Sequence, residues 1–278
     1  MDALVTTEWL AGELGARDLR VVDATYVDAA TGRDVRAEYE AAHIPGAVFL
    51  DLAELRDTDA ELPNTVPGAA RFASRMQALG LGDGCRIVLY DSSPWRTSAR
   101  AWFLLRLFGV RDVAILDGGL AKWRAEGRET ASGVEAPRHR HFTIQPSDTQ
   151  LRDLAAMRAN LDSGAEQVVD ARSAARFTGE EADPRVGVAS GHIPRSKSLP
   201  YNKLFEADGT WKRGDALKAA FADARVDLSK PIVTTCGSGI TAAVVAFGAY
   251  LLGNEAALYD GSWSEWGADP ATPKEMGA

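Results

Sequence analysis

Cysteine is scarce in this chain. Its 278 residues hold two, Cys85 and Cys236, with no CxxC pair. That excludes a disulfide framework and the common cysteine-based zinc sites, and it fits a reducing compartment. Histidine is almost as rare, at four residues, and no His or Cys spacing points to a metal or an organic cofactor. Positive charge is also short. Subtracting 39 Asp and Glu from 31 Lys and Arg gives −8, which disfavours nucleic acid or an anionic membrane as partner while leaving room for a local basic pocket. The longest apolar stretch, Ile240 to Gly253, falls short of the roughly 20 residues that span a bilayer. The opening residues, MDALVTTEWLAGELG, lack the basic-then-apolar pattern of an export signal. A cytoplasmic location with no membrane contact is the expectation.

What the chain does have is itself, twice. VVDATY at Val21 returns as VVDARS at Val168, and AAHIPGAVFLD at Ala41 as SGHIPRSKSLP at Ser190. IVLYDSS at Ile87 matches IVTTCGS at Ile232, and LDGGLAKW at Leu116 matches YDGSWSEW at Tyr259. Four ordered matches at a spacing too long for a solenoid repeat mean two homologous domains, each a complete fold. The Pro-containing, basic stretch GVEAPRHRHFTIQPS, Gly133 to Ser147, lacks helical periodicity and reads as the join. The expected division is 1–133 for an N-terminal domain, 134–147 for a linker and 148–278 for a C-terminal domain. Short apolar runs (RVVDA, RIVLYD, QVVDA, PIVTTC) alternate with helical segments (GAARFASRMQALG, TSARAWFLLRLFG, GDALKAAFADA, ITAAVVAFGAYLL). That alternation predicts an α/β fold, made twice, with a mainly parallel sheet flanked by helices.

Cys236 follows one predicted strand and precedes a helix beginning near Ile240 or Thr241. Such a junction gathers unpaired N–H groups at the positive end of a helix dipole. Gly237 and Gly239 let several of them face one centre. The arrangement favours thiolate over thiol, which suits a nucleophile or the carrier of an anionic adduct. Cys85, at the start of a strand, reads as filler. The first copy has Asp91 where the second has Cys236, so only the second domain carries a nucleophile. His43 and His192, Asp23 and Asp170, and Trp123 and Trp266 recur in both copies, which makes them fold rather than chemistry. A phosphatase would need an arginine six positions after the cysteine, and Ala242 stands there.

CGSGITA, with VVDARSAARF, DPRVGVASGHIP and YDGSWSEW around it, resembles the tandem-domain sulfurtransferases of the rhodanese superfamily, over essentially the whole chain. The resemblance implies a first, catalytically inactive rhodanese-like domain and a second bearing the persulfide-forming cysteine, Cys236. Its loop resembles the type that takes sulfur from 3-mercaptopyruvate, since Gly237 and Ser238 are neutral where thiosulfate-specific members place basic residues. The resemblance assigns the donor's carboxylate and carbonyl to Arg176 and Arg185, with Gly237, Gly239, Ile240 and Thr241 lining the loop. It gives Ser238 either a hydrogen bond to substrate or a part in a proton relay. The acceptor it implies is a thiol such as reduced thioredoxin, or cyanide. Where some members place an aspartate and a histidine behind the serine, this sequence carries Ala53 and Asn64, so no Ser–His–Asp relay is assigned. Thiosulfate as donor, and a non-catalytic persulfide carrier, remain alternatives.

Overall fold

The computed structural model describes residues 1–145 and 150–277. Pro146 and Ser147 of the expected linker, with Asp148 at the expected domain start, lie outside the described residues. The described residues of 1–58 and 66–145 form one compact unit, and those of 59–65 and 150–277 form another.

In the first unit the strands are β1 (Leu4–Val5), β2 (Leu19–Asp23), β3 (Ala47–Phe49), β4 (Arg86–Tyr90) and β5 (Val113–Leu116). They pair in the order β1-β5-β4-β2-β3, every pairing parallel. The second unit repeats this with β6 (Leu151–Arg152), β7 (Gln167–Asp170), β8 (Lys197–Ser198), β9 (Ile232–Thr235) and β10 (Ala257–Tyr259). Their order, β6-β10-β9-β7-β8, is the first order shifted by five, again all parallel. The central strands, β4 from Ile87 onward and β9 along its length, are buried, as their apolar IVLY and IVTT runs require when helices cover both faces.

The helices of the first unit are α1 (Thr7–Glu13), α2 (Val35–Ala41), α3 (Ala69–Ala78), α4 (Ser98–Leu107) and α5 (Gly119–Ala125). Those of the second are α6 (Leu154–Ser163), α7 (Ala174–Thr178), α8 (Gly214–Asp223), α9 (Ala242–Leu251) and α10 (Ser262–Trp266). Helix α9 is apolar all round because it is buried all round, from Ala242 to Ala249. Val244, Val245 and Phe247 are wholly enclosed, and each contributes about 1.5–3 kcal/mol of burial. No helix among the described residues is long and apolar enough to cross a membrane.

The recurrent histidines hold turns. Nδ1 of His43 meets the Tyr39 carbonyl at 2.8 Å, and Nδ1 of His192 meets that of Phe177 at 2.8 Å. Each ring stacks on the same residue whose carbonyl it meets. Trp123 and Trp266 are core residues, buried in their own units. Beyond Gly133 the chain stays on the first unit. Thr143 donates its N–H and hydroxyl to Asp83, and a Cβ at Gly82 would meet the His141 carbonyl at 2.3 Å. Cys85 is buried beside this strap, with Arg140 donating to its Sγ at 3.5 Å.

Strand order fixes where ligands can go. The chain leaves β7 for β8 on one side of the sheet and leaves β9 for β10 on the other, so the loops after β7 and β9 diverge. The crevice at the carboxyl ends of such a strand pair is where open α/β sheets bind ligands. Cys236 is the residue after β9.

Candidate active site

The loop from Cys236 to Thr241 turns from β9 into α9, which begins at Ala242, slightly later than the sequence spacing predicts. Cys236 is buried, at 2% exposure. It is therefore not the exposed thiol a glycine-rich loop leads one to expect. Its Sγ accepts from the Gly239 N–H at 3.1 Å. That contact requires Gly239 at φ +82, a left-handed conformation that costs glycine nothing. The N–H groups of Ser238, Ile240, Thr241 and Ala242 meet no acceptor among the described residues. The cradle is thus lined with donors that an anion could use.

The carbonyls of the loop are turned outward by the start of α10. Trp263 N–H donates to the Cys236 carbonyl at 2.9 Å, and Ser264 N–H to the Gly237 carbonyl at 3.0 Å. Ser262, at φ 49 and fully buried, accepts the Cys236 N–H at 3.4 Å and donates to the Tyr259 carbonyl at 2.9 Å. Its counterpart in the first repeat is Gly119, also at positive φ. The serine therefore keeps a conformation suited to glycine while bonding the nucleophile's peptide. The sequence motif YDGSWSEW pointed to a turn, and these three residues were not legible as part of the cysteine's support.

Arg176 and Arg185 both reach the loop. A Cβ on Gly237 would lie 3.1 and 3.2 Å from the two terminal nitrogens of Arg185 and 3.5 Å from one of Arg176. Ser173 caps α7, accepting the Arg176 N–H at 3.3 Å, and Gly179 ends it at φ +85, which fixes Arg176 on one short turn. Between the guanidiniums lies Asp183, whose carboxylate is 1% exposed. It accepts from Arg176 Nη2, from Arg185 Nη1 at 3.1 Å and from the Arg185 N–H at 3.0 Å. Arg176 Nε is buried and meets no acceptor among the described residues. Asp183 stands two residues before Arg185 in the EEADPR run, where it reads as one more surface acid.

Ser238 is buried at 8% exposure. Its Oγ accepts from Nδ2 of Asn64 at 3.0 Å, and Asn64 belongs to the 59–65 segment that clusters with this unit. Asn64 thus occupies the serine's side, where a relay would need a base. The sequence reading named it for the histidine it replaces and missed its contact, which spans 174 positions of chain.

The first unit builds the same junction and fills it. Asp91 is buried, and its two carboxylate oxygens accept the Ser93 and Ser98 N–H groups, each at 2.9 Å. Burial pushes its carboxyl pKa up. Arg96 of the same loop acts on its charge, while Arg33, which reaches the neighbouring Ser92 carbonyl, is ion-paired with Glu38.

A rhodanese-like domain pattern matches residues 6–126 and again residues 153–269. The chain is 38% identical to the 3-mercaptopyruvate sulfurtransferase of Homo sapiens, over 95% of this chain and 91% of the human protein. It is 39% identical to the thiosulfate sulfurtransferase of Cricetulus griseus over the same shares. Identity alone therefore does not separate the two donors. The crystal structure of SseA from Escherichia coli, described as a 3-mercaptopyruvate sulfotransferase, superposes with a TM-score of 0.86 at 34% identity, covering 95% of this chain and all of that one. Tum1 from Saccharomyces cerevisiae gives 0.90 at 27% identity, covering 99% of both chains. With two matched segments, a twice-built parallel sheet and a cysteine loop at the sheet's carboxyl edge, the chain belongs to the rhodanese family.

Proposed function

We propose that this protein is a sulfurtransferase that moves sulfur from 3-mercaptopyruvate to a thiol acceptor through a persulfide on Cys236. The observation that carries the reading is the neutral Gly237 lying under the paired guanidiniums of Arg176 and Arg185, one residue from the cysteine. Two arginines held side by side suit a 2-oxo acid, whose carboxylate and carbonyl need separate planar donors.

Cys236, as thiolate, attacks the sulfur of the donor. The C–S bond breaks with its electron pair going to carbon, and the resulting enolate takes a proton to become pyruvate. The sulfur stays on Cys236 as a persulfide. The Gly239 N–H and the open donors of Ile240, Thr241 and Ala242 stabilise charge on the sulfurs, as an oxyanion hole does for oxygen. An acceptor thiolate, from a small thiol or a thioredoxin-like protein, then attacks the outer sulfur and Cys236 leaves as thiolate.

In this reading the domain of residues 1–133 is catalytically inactive, since Asp91 plugs its own cradle. Residues 134–147 link it to the active domain of 148–278, and the protein works in the cytoplasm. The test is pyruvate release from 3-mercaptopyruvate with a thiol acceptor, for wild type and Cys236→Ser, beside thiosulfate as donor. Fast release that the variant loses supports the reading. Faster turnover with thiosulfate moves it to a thiosulfate sulfurtransferase, and no turnover with either donor leaves a persulfide carrier.

A further inference from the structure

Thiolate, not thiol, is the sulfur nucleophile, so the acceptor must lose a proton before it attacks the persulfide. Among the described residues, the side chains bonded to Cys236 and Ser238 offer nothing to take it. Ser238 Oγ faces the carboxamide of Asn64, which does not titrate in the working range. The guanidiniums of Arg176 and Arg185 are donors with no acceptor atom, and the Asp183 carboxylate between them already accepts four hydrogen bonds. At the end of the neighbouring strand β7, Asp170 is ion-paired with Arg172, whose guanidinium lies over Trp263. On the α10 side, Glu265 accepts from the Tyr259 hydroxyl, and Asp260 begins the turn. On the segment that carries Asn64, Asp59 and Glu61 are exposed, and among the described residues no carboxylate or imidazole touches Cys236 Sγ or Ser238 Oγ.

We infer that the acceptor must arrive as a preformed thiolate. The site selects thiols whose own pKa lies near or below the working pH, and Asn64 holds Ser238 as a hydrogen-bond donor rather than a relay. The inference rests on the sulfurtransferase reading above. The step balances without a protein base. RS⁻ bonds to the outer sulfur of Cys236–S–SH, the inner S–S bond breaks with its pair going to Cys236, and RS–SH departs. The acceptor's proton is released to water beforehand. No oxidant or reductant is consumed.

This fixes a shape for the acceptor dependence. Thiolate fraction falls tenfold for each pKa unit above the pH, while nucleophilicity rises with a Brønsted coefficient of about 0.4–0.5. For thiols above the working pH, raising the pKa by two units should therefore slow sulfur uptake by about tenfold. A base on the protein would flatten that dependence and impose one inflection on every acceptor.

The experiment loads Cys236 with 3-mercaptopyruvate, confirms a stoichiometric burst of pyruvate, and mixes the persulfide rapidly with a series of small thiols of graded pKa. Second-order rate constants are read from about pH 6 to about pH 9, spanning the imidazole range. The inflection should move with each acceptor's own pKa. An inflection at one pH for all acceptors overturns the inference while the burst upholds the sulfurtransferase. Absence of the burst overturns that reading and the inference with it. In a second arm, Asn64→Ala should keep the moving inflection, and Asn64→His should add an acceptor-independent one and speed only the high-pKa thiols. A moving inflection in wild type that becomes fixed in Asn64→Ala would overturn the role given to Asn64.

Discussion

Asp91 and Cys236 stand at the same place in two copies of one fold, each the first residue after the central strand, and they meet their loops in opposite ways. The Asp91 carboxylate accepts two backbone N–H groups of its own loop and first helical turn. Cys236 accepts one and leaves the others open. A nucleophile placed at position 91 would meet differently held arginines, because Arg33, which reaches the Ser92 carbonyl beside it, is held by Glu38 rather than by a carboxylate shared with a second arginine. Asp91→Cys in a Cys236→Ser background should therefore release no pyruvate above that background. Pyruvate assays beside circular dichroism, to confirm folding, check it.

Asp183 is a positioning residue for the donor. It pairs with both arginines and, among the described residues, makes no hydrogen bond to the cysteine loop. Asp183→Asn keeps the volume and removes the charge that both guanidiniums pair with. A fall of about 10–100-fold in kcat/KM for 3-mercaptopyruvate is expected, mostly through KM, consistent with lost charge-assisted bonds worth about 1.5–3 kcal/mol. Attack on a preloaded persulfide should keep its rate, which a merely unfolded variant would not do.

Gly237 leaves room for the same clamp. An added methyl would press on the Arg185 guanidinium at 3.1 Å, the far end of a long side chain that can shift at the expense of its bond to Asp183. Gly237→Ala should thus fold normally and bind the donor worse. KM is expected to rise about 3–10-fold, since sub-ångström misplacement of an orienting group is costly. Steady-state kinetics and a melting curve together separate the two effects.

Much of this architecture was legible because it is written twice. The VVD and IV strand runs, the HIP turns and the cysteine loop fall in register, and Asp91 opposite Cys236 is visible by alignment of the copies alone. The two arginines were also in view. Asp183 was not, since an acid in EEADPR has the composition of a solvated surface and only side-chain geometry puts it between two guanidiniums. Ser262 and Ser264 were hidden by the repeat itself, whose recurrence reads as turn rather than support. Asn64 could be placed beside Ser238 only by folding, because segment 59–65 leaves the unit of its sequence neighbours.

Glu126 gives the first unit an acid-sensitive tie. Its carboxylate accepts from the Thr7 hydroxyl at 2.6 Å and Arg128 Nε at 2.6 Å, with Lys122 at 3.1 Å. These partners, Thr7 foremost, push its pKa down to about 2 from 4.5. A depressed carboxyl contributes stability above its unfolded value and loses it as pH falls through the folded one. Wild type should therefore exceed Glu126→Gln in melting temperature at neutral pH, with the gap closing between about pH 4.5 and about pH 2. A gap independent of pH would mean the side chain acts by packing alone.

Arg195 is where the second HIP turn puts a side chain on a backbone that glycine holds in the first. It takes φ 62 where the first copy has Gly46 at φ 75. A side chain in the left-handed region costs roughly 1–2 kcal/mol, and glycine removes that cost while adding about 0.4–1 kcal/mol of unfolded-state entropy. The Arg195 N–H donates to Glu275 at 3.0 Å through the backbone, a bond glycine retains. Arg195→Gly should therefore be neutral to stabilising by about 1 kcal/mol, and Arg195→Ala, which keeps a Cβ, should gain nothing. Denaturant midpoints for the pair decide it: a glycine variant less stable than wild type would show that the arginine side chain holds the turn by contacts of its own.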